Sequence, residues 1–227
     1  MEMPNVSPNS VTLPVFGGIQ VNETLITSWL VTIGIIIFAL IVRYVFFPRF
    51  KPVPKGFQNV MEMLVGMVEN FTKGIMGERG SYISAYMFSL AFFLITSGLL
   101  ELFGVRAPAT DLNFTVSIAL ISFVLIAAFG IRFKGVKGWA KSYGEPVSFV
   151  APFRIISDCV LPVSLSCRMF GNLFSGLVIM DMIYSAMGSF AIAIPAFASL
   201  FFNFFHVGMQ TYVFMMLTLS FVQEKVE

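Results

Sequence analysis

Long apolar runs constrain this chain more than any other feature of its sequence. Several stretches reach about 20 mainly apolar residues, the length that an α-helix needs to span the hydrocarbon core of a bilayer. With 57% hydrophobic and only 11% charged residues, the 227-residue chain is too apolar for an ordinary soluble domain. We therefore predict an all-α polytopic membrane protein.

The runs predict five membrane-spanning helices and one amphipathic helix on the membrane surface. After an external N-terminal segment, 1–23, the first span covers 24–47 and ends near Pro48. Residues 57–76 alternate apolar with polar side chains, which is typical of a helix that lies on a membrane. The remaining spans cover 82–103, 115–131, 147–184 and 190–222. We expect one integral membrane domain, 1–227, with a helical hairpin at 82–131 and a long tilted hairpin at 147–222.

The fourth apolar run is too long for a simple crossing. As one helix, 147–184 would measure about 55 Å, whereas the bilayer core is about 30 Å thick. The segment must tilt strongly, kink at Pro162, or lie partly along the membrane plane.

The distribution of basic residues predicts the orientation of the chain. With five passes, eleven of the 14 Lys and Arg residues flank the spans on one side, and only Arg106 lies on the other. Because basic residues are retained on the cytoplasmic side, we expect the N-terminus outside and the C-terminus in the cytoplasm. The remaining two, Arg154 and Arg168, lie inside the fourth span.

Arg168 is the charged residue that most needs an explanation. It lies deep in the fourth run without a carboxylate within one helical turn of its own sequence. A charge at that depth costs about 2.5 to 3.5 kcal/mol, so it requires a partner or a function. A structural pair with another helix of the same chain is the simplest interpretation of an isolated membrane arginine.

The surrounding motif favours a function. The run 162–176, PVSLSCRMFGNLFSG, closely resembles the signature around the essential arginine of subunit a in F-type ATP synthases. Three further segments resemble that family in the same order: APATDLNFT at 107–115, KGVKG at 134–138, and Gln210 followed by YVFMMLT at 212–218. The likeness covers about residue 90 to the C-terminus.

This resemblance implies a stator subunit whose last two helices form a tilted hairpin against a rotating ring of c subunits. It implies two aqueous half-channels that carry H⁺ or Na⁺ to and from rotor carboxylates, with Arg168 as the fixed charge between them and Gln210 facing it. Further implied partners are the peripheral-stalk b subunits, the catalytic head through the stalks, and the lipid bilayer. We expect the bacterial inner (plasma) membrane as location and no nucleic-acid partner.

Elementary chemistry is consistent with that role for Arg168. Guanidinium stays protonated in proteins, so it cannot relay a proton but provides a dependable fixed charge. It would favour the ionised form of an approaching rotor carboxylate and repel cations that pass directly between the half-channels. The membrane potential then supplies about 2.3 kcal/mol per charge per 100 mV.

Other polar residues of the last two spans are candidates for the ion path. On the outer side of Arg168 these are Asn172, Asp181, Asn203 and His206, and on the inner side Ser164 and Asp158. Each has a simpler alternative: Asp158 could neutralise Arg154 four residues earlier, His206 could be a packing histidine, and Asp181 could be interfacial.

The chain also departs from the family pattern at two positions. Leu177 stands where many members have Glu, and Arg154 stands where many have a carboxylate. Asp181, Glu101 or His206 are possible substitutes on the outer side, and Asp158 on the inner side.

A secondary transporter that binds an anionic substrate at Arg168 is the main alternative function, but it would usually show inverted repeats. The sequence shows no Walker A motif, metal-ligand cluster or nucleophile constellation. We therefore expect no cofactor or metal and no ATP hydrolysis by this chain alone. Cys159 and Cys167 would lie about 12 Å apart on one helix, too far for a disulfide, and we predict both as buried free thiols.

Overall fold

A computed structural model describes residues 10–13, 19–52, 54–100, 107–142, 151–187 and 193–226. The chain forms two compact units, Met1–Pro108 and Ala109–Glu227.

The described residues of the first unit include a pair of short β-strands that the sequence analysis did not predict. Strands β1, Ser10–Leu13, and β2, Ile19–Asn22, pair antiparallel with Val11 opposite Val21. Polar and apolar residues alternate in both strands, the pattern of a strand with two different faces. Four residues per strand are too few for that alternation to stand out in the sequence.

Helix α1, Glu23–Ile41, follows directly and contains most of the first predicted span. It continues as a π-helical turn, Val42–Phe46, and a 3₁₀ turn, Phe47–Arg49, before the backbone becomes extended at Phe50. Pro48 lies in the 3₁₀ turn, where its missing N–H is tolerated because the first amides of a helical turn have no partner in the turn.

Helices α2, Phe57–Met76, and α3, Ser81–Leu99, complete this unit and pack against each other. The bounds of α2 agree with the predicted amphipathic helix, and Thr72 and Met76 on α2 are buried together with Ile83 and Met87 on α3. A Cβ atom on Gly80, which ends the 3₁₀ turn between them, would come 2.6 Å from the Thr72 carbonyl oxygen. Only glycine permits so close a return of the backbone.

The described residues of the second unit form three long helices that all contact one another: α4, Leu112–Ser142, α5, Ala151–Met187, and α6, Ala193–Val226. Asp111 caps α4, since its Oδ1 accepts a hydrogen bond from the Asn113 amide at 2.9 Å. Gly135 interrupts α4 with φ 73°, so the predicted basic connection at 132–141 is helical on either side of one glycine break.

Small residues let the helices of this unit approach closely. Thr115, Ala119, Ser122 and Ile126 recur at helical spacing on one face of α4 and are all buried. In a bilayer, where lipid is as apolar as leucine, such faces bring backbones together by van der Waals packing. Phe214, Leu219 and Val222 of α6 are among the most buried side chains of the unit.

Helix α5 confirms a long fourth helix and remains one helix through Pro162. Its 37 residues correspond to about 55 Å, so a bilayer must accommodate it by tilt, by bending, or by a course partly along the membrane plane.

Five helical segments of the described residues are long and apolar enough to cross a membrane, which confirms the predicted all-α polytopic class. They are Thr24–Arg49, Phe57–Leu99, Leu112–Trp139, Pro152–Met180 and Phe204–Val226. The second includes α2, so the surface position of that helix stays a prediction. The single domain and the hairpin of 82–131, whose helices belong to different units, also stay predictions.

The prediction that both cysteines are buried was wrong, because Cys159 and Cys167 are exposed. Both lie off the buried stripe of α5, which contains Leu161, Leu165 and Met169. In a membrane helix an apolar residue is as stable against lipid or another subunit as inside its own chain, so apolarity alone does not predict burial.

Candidate functional site

Arg168 lies near the middle of α5 and is exposed on the surface of its unit. Within the part of the chain that the structure describes, no side chain forms a hydrogen bond or ion pair with its guanidinium. The next residue, Met169, is fully buried against the other helices. The backbone is thus firmly packed at this position while the charge points outward.

Arg168 belongs to a polar stripe on the exposed side of α5, formed by Ser164, Arg168, Asn172 and Ser175. Intervals of three and four residues place these side chains on one helix face. Ser175 donates to the Gly171 carbonyl at 2.7 Å, which satisfies its hydroxyl within the helix. The stripe borders the buried stripe of α5, so polar and apolar surfaces meet along the length of the helix.

Gln210 links α6 to this stripe. It is only 6% exposed, and its Oε1 accepts a hydrogen bond from Asn172 Nδ2 at 2.8 Å. Asn172 is one helical turn from Arg168, so the structure brings Gln210 to the neighbourhood of the arginine. Buried polar groups need such partners, and this bond between residues 38 apart could not be deduced from either helix alone.

His206 lies one turn before Gln210 on α6 and faces Gly176 of α5. Its Nδ1 is 4.0 Å from the position that a Cβ atom on Gly176 would occupy. Its Nε2 is buried without a hydrogen-bond partner among the described residues. A buried nitrogen without a partner is costly, and groups of this kind commonly bind water or an ion.

The other predicted outer residues are only partly described. Asp181 is on α5 and Asn203 on α6, but the structure does not describe their side chains. The side chain of Leu177 is also not described, and Glu101 lies outside the described residues.

Asp158 forms an ion pair that the sequence analysis missed. Its Oδ2 is 2.6 Å from Lys225 Nζ on α6, and the two side chains are only 16% and 13% exposed. Lys225 was interpreted only as a flanking basic residue, because nothing in the sequence links positions 67 apart. The pair joins the first turns of α5 to the last turn of α6.

The same region contains a close contact with α4. A Cβ atom on Gly130 would lie 3.0 Å from Trp139 Cδ1 and 3.3 Å from Lys225 Cβ. Because Gly130 has no side chain, two groups can pack directly on α4 at this position. They are the ring of Trp139, which lies beyond the break at Gly135, and the stem of Lys225. This arrangement brings the three helices of the unit together near the ion pair.

Comparison with known proteins identifies the chain's relatives. A family model described as ATP synthase A chain matches residues 25–223. The chain is 28% identical to "ATP synthase subunit a, sodium ion specific" of Propionigenium modestum over 222 residues, which covers 91% of this chain and 74% of that protein. It is 32% identical over 217 residues to "ATP synthase subunit a, chloroplastic" of Oedogonium cardiacum, with 90% and 82% of the two chains covered.

The match over almost the whole chain decides against the alternative of a secondary transporter. Together with the five apolar helices it also confirms an integral multi-pass membrane protein. The chain belongs to the ATP synthase A chain family, whose members are subunit a, the ion-translocating membrane stator subunit of F-type ATP synthases.

Proposed function

We propose that this chain carries H⁺ or Na⁺ through two aqueous half-channels to and from carboxylates of a c-subunit rotor ring, and that Arg168 is the fixed charge that separates them. The observation that carries the proposal is the guanidinium of Arg168, which is exposed at the middle of a long membrane helix and has no ion-pair partner among the described residues.

The need for a partner explains why another subunit would meet Arg168. A charged side chain in the centre of a membrane costs about 2.5 to 3.5 kcal/mol unless it is paired or hydrated. Since the described residues provide no carboxylate partner, an acidic group on another subunit would compensate the charge. A rotor carboxylate that arrives there would lose its ion, because the nearby guanidinium favours the ionised form.

The bond between Asn172 and Gln210 supports this arrangement. It is a neutral polar link beside the arginine, and it holds α5 and α6 together without a carboxylate that could neutralise Arg168. A fixed charge between half-channels must remain available to the rotor, so neutral neighbours suit this function better than acidic ones.

For the outer half-channel we assign His206, with Asn203 and Asp181 as further members. The buried Nε2 of His206 lacks a partner among the described residues and lies next to a glycine instead of a side chain, which favours a hydrated path over simple packing. For the inner half-channel we assign Ser164, which belongs to the polar stripe of α5. Asp158 belongs to the same side, where its pair with Lys225 holds the two helices together.

The proposal includes an external N-terminus, a cytoplasmic C-terminus and the bacterial inner (plasma) membrane, in contact with b subunits and, through the stalks, the catalytic head. The distribution of basic residues, eleven against one, supports this orientation. Cysteines at Ser10 and Glu227 should be labelled from opposite sides of the membrane. Because Cys159 and Cys167 are both exposed, they must first be replaced by serine.

The central test is Arg168→Ala in the complete ATP synthase. We expect loss of ion-driven ATP synthesis with normal assembly, because an exposed side chain is removed and little packing is disturbed. Arg49→Ala is a suitable control, since that exposed arginine lies outside α5. Synthesis at the wild-type rate in Arg168→Ala would refute the proposal. ATP hydrolysis by the purified complex with and without sodium then decides between H⁺ and Na⁺.

Cysteine accessibility tests the outer path independently. Single cysteines at positions 181 and 206 should react with silver ions in the membrane if both positions line water. We also expect Asp181→Asn to lower ion-driven synthesis. If neither cysteine reacts, the outer path must run elsewhere, for example past Glu101 and Asp111.

A further inference from the structure

The first unit contains a groove that the ion path does not use. It has a volume of about 530 Å³ and is bounded by α1, the two turns that follow it, α2 and α3. Its walls are mainly apolar and include Ile35, Phe38, Val65 and Phe92. The volume lies within the range of about 300 to 1,000 Å³ that is usual for sites that bind small molecules.

One basic residue, Arg43, lines this groove. Arg43 lines it from the π-helical turn Val42–Phe46, with its guanidinium carbon 4.9 Å from the centre of the Phe47 ring. Among the described residues no carboxylate pairs with Arg43. The π-helical turn is a second sign of function, because such turns are rare and frequently occur at functional sites.

The two acidic residues that line the groove interact with other side chains. Glu69 forms an ion pair with Lys73 at 2.8 Å, and Glu62 accepts a hydrogen bond from Gln58 Nε2 at 2.7 Å. Both lie on α2, whereas Arg43 lies on the π-helical turn after α1. Arg43 is the basic side chain that lines the groove, and it has no ion-pair partner among the described residues.

We propose that this groove binds an anionic phospholipid, with an acyl chain along its apolar walls and the phosphate at Arg43. The apolar walls match a hydrocarbon chain, and Arg43 matches a phosphate, which guanidinium groups bind with strong hydrogen bonds. The next basic residues along the chain, Arg49 and Lys51, add positive charge near the same end of the first span. Lipid that surrounds a multi-pass protein is present at the mouth of such a groove, so no other ligand needs to reach it.

Glycines of α2 provide a matched pair of variants. Gly66 lines the groove, and Gly74 lies on the same helix outside it. At both positions a Cβ atom would meet nothing within 4 Å. Gly66→Leu should therefore fill the groove without disturbing α2, whereas Gly74→Leu adds the same side chain elsewhere.

The experiment uses the complete ATP synthase in vesicles of phosphatidylcholine and phosphatidylglycerol that contain a phosphatidylglycerol with a photoactivatable acyl chain. We expect crosslinks to α3 between Phe88 and Phe92, with unlabelled phosphatidylglycerol competing about five-fold better than phosphatidylcholine, the preference that one basic residue near the headgroups provides. Gly66→Leu should abolish these crosslinks and Gly74→Leu should keep them.

The headgroup contact has its own pair of variants. Arg43→Gln should keep the crosslinks but make the two lipids equal competitors, whereas Arg49→Gln should keep most of the preference. Equal labelling of Gly66→Leu and Gly74→Leu would overturn the proposal, as would equal competition by the two lipids in the wild-type protein. The absence of crosslinks to α3 in the wild-type protein, as expected if another subunit covers the groove, would also refute it.

Discussion

Charges at the middle of the α5–α6 pair and at the end that contains Asp158 and Lys225 differ in whether the chain itself compensates them. At the end of the pair, Asp158 and Lys225 lie 2.6 Å apart, and both side chains are largely buried. At the middle, Arg168 is exposed and has no ion-pair partner within the described residues. A charge that is compensated within the chain holds the helices together, whereas one left open is available to another subunit. The difference separates structural from functional charges on the same two helices.

Arg168→Lys tests whether a positive charge without the guanidinium group is sufficient at position 168. We expect ion-driven ATP synthesis to fall about 100-fold or more, because the ammonium lacks the planar fork of guanidinium and can lose its proton when buried. The measurement is synthesis by the reconstituted enzyme under an imposed ion gradient. A rate close to that of the wild type would mean that charge alone, and not the guanidinium, separates the half-channels.

Removal of one partner tests whether the ion pair between Asp158 and Lys225 is structural. Lys225→Met leaves the Asp158 carboxylate buried, and we expect a loss of about 3 kcal/mol in stability, the lower end of the range for broken buried pairs. Thermal unfolding of the purified chain in detergent measures this effect. Asp158→Leu combined with Lys225→Met should recover most of the loss, since both charges of the pair are then removed.

The exposed pair between Glu69 and Lys73 is the control for this variant. Its side chains are 39% and 37% exposed, so Lys73→Met should destabilise the chain far less than Lys225→Met. If Lys225→Met were no more destabilising than Lys73→Met, the pair at the end of α5 and α6 would not fix the helices, and the contrast with Arg168 would fail.

Asn172→Leu tests the hydrogen bond between Asn172 and Gln210 beside Arg168. The variant leaves the buried Gln210 Oε1 without its donor, at a cost of about 1 to 3 kcal/mol in stability. We also expect slower ion-driven synthesis, because Gln210 is released next to Arg168. The double variant with Gln210→Leu should be more stable than Asn172→Leu alone. If the two single effects simply add, the hydrogen bond does not couple the helices in the membrane.

His206 should show the smallest effect, and two substitutions separate its possible roles. We expect His206→Phe to lower ion-driven synthesis several-fold and to change its pH dependence, because the ring volume is kept but both nitrogens are lost. His206→Gln should retain more activity, since a polar group remains beside Gly176. The rate measured from pH 6 to 9 distinguishes them. If Phe preserves the rate and Gln does not, His206 is a packing residue.

Patterns within single segments were sufficient to predict much of this protein. Apolar runs predicted five spans, and alternation of polar with apolar residues predicted α2 with its observed bounds, because hydrophobicity and helical periodicity are local properties. The motif around Arg168 identified the family that the whole-chain match then confirmed. A charge in the middle of an apolar run is recognisable without a fold, because its depth in the membrane already indicates a high insertion cost.

Only the tertiary structure decided which polar residues meet. It joined Asn172 to Gln210 and Asp158 to Lys225, and it placed His206 against Gly176. It also showed that Cys159 and Cys167 face outward, which apolarity could not reveal. These facts depend on how α5 and α6 are rotated and aligned against each other. That alignment follows from the packing of many side chains on three helices, and no pattern within one helix contains it.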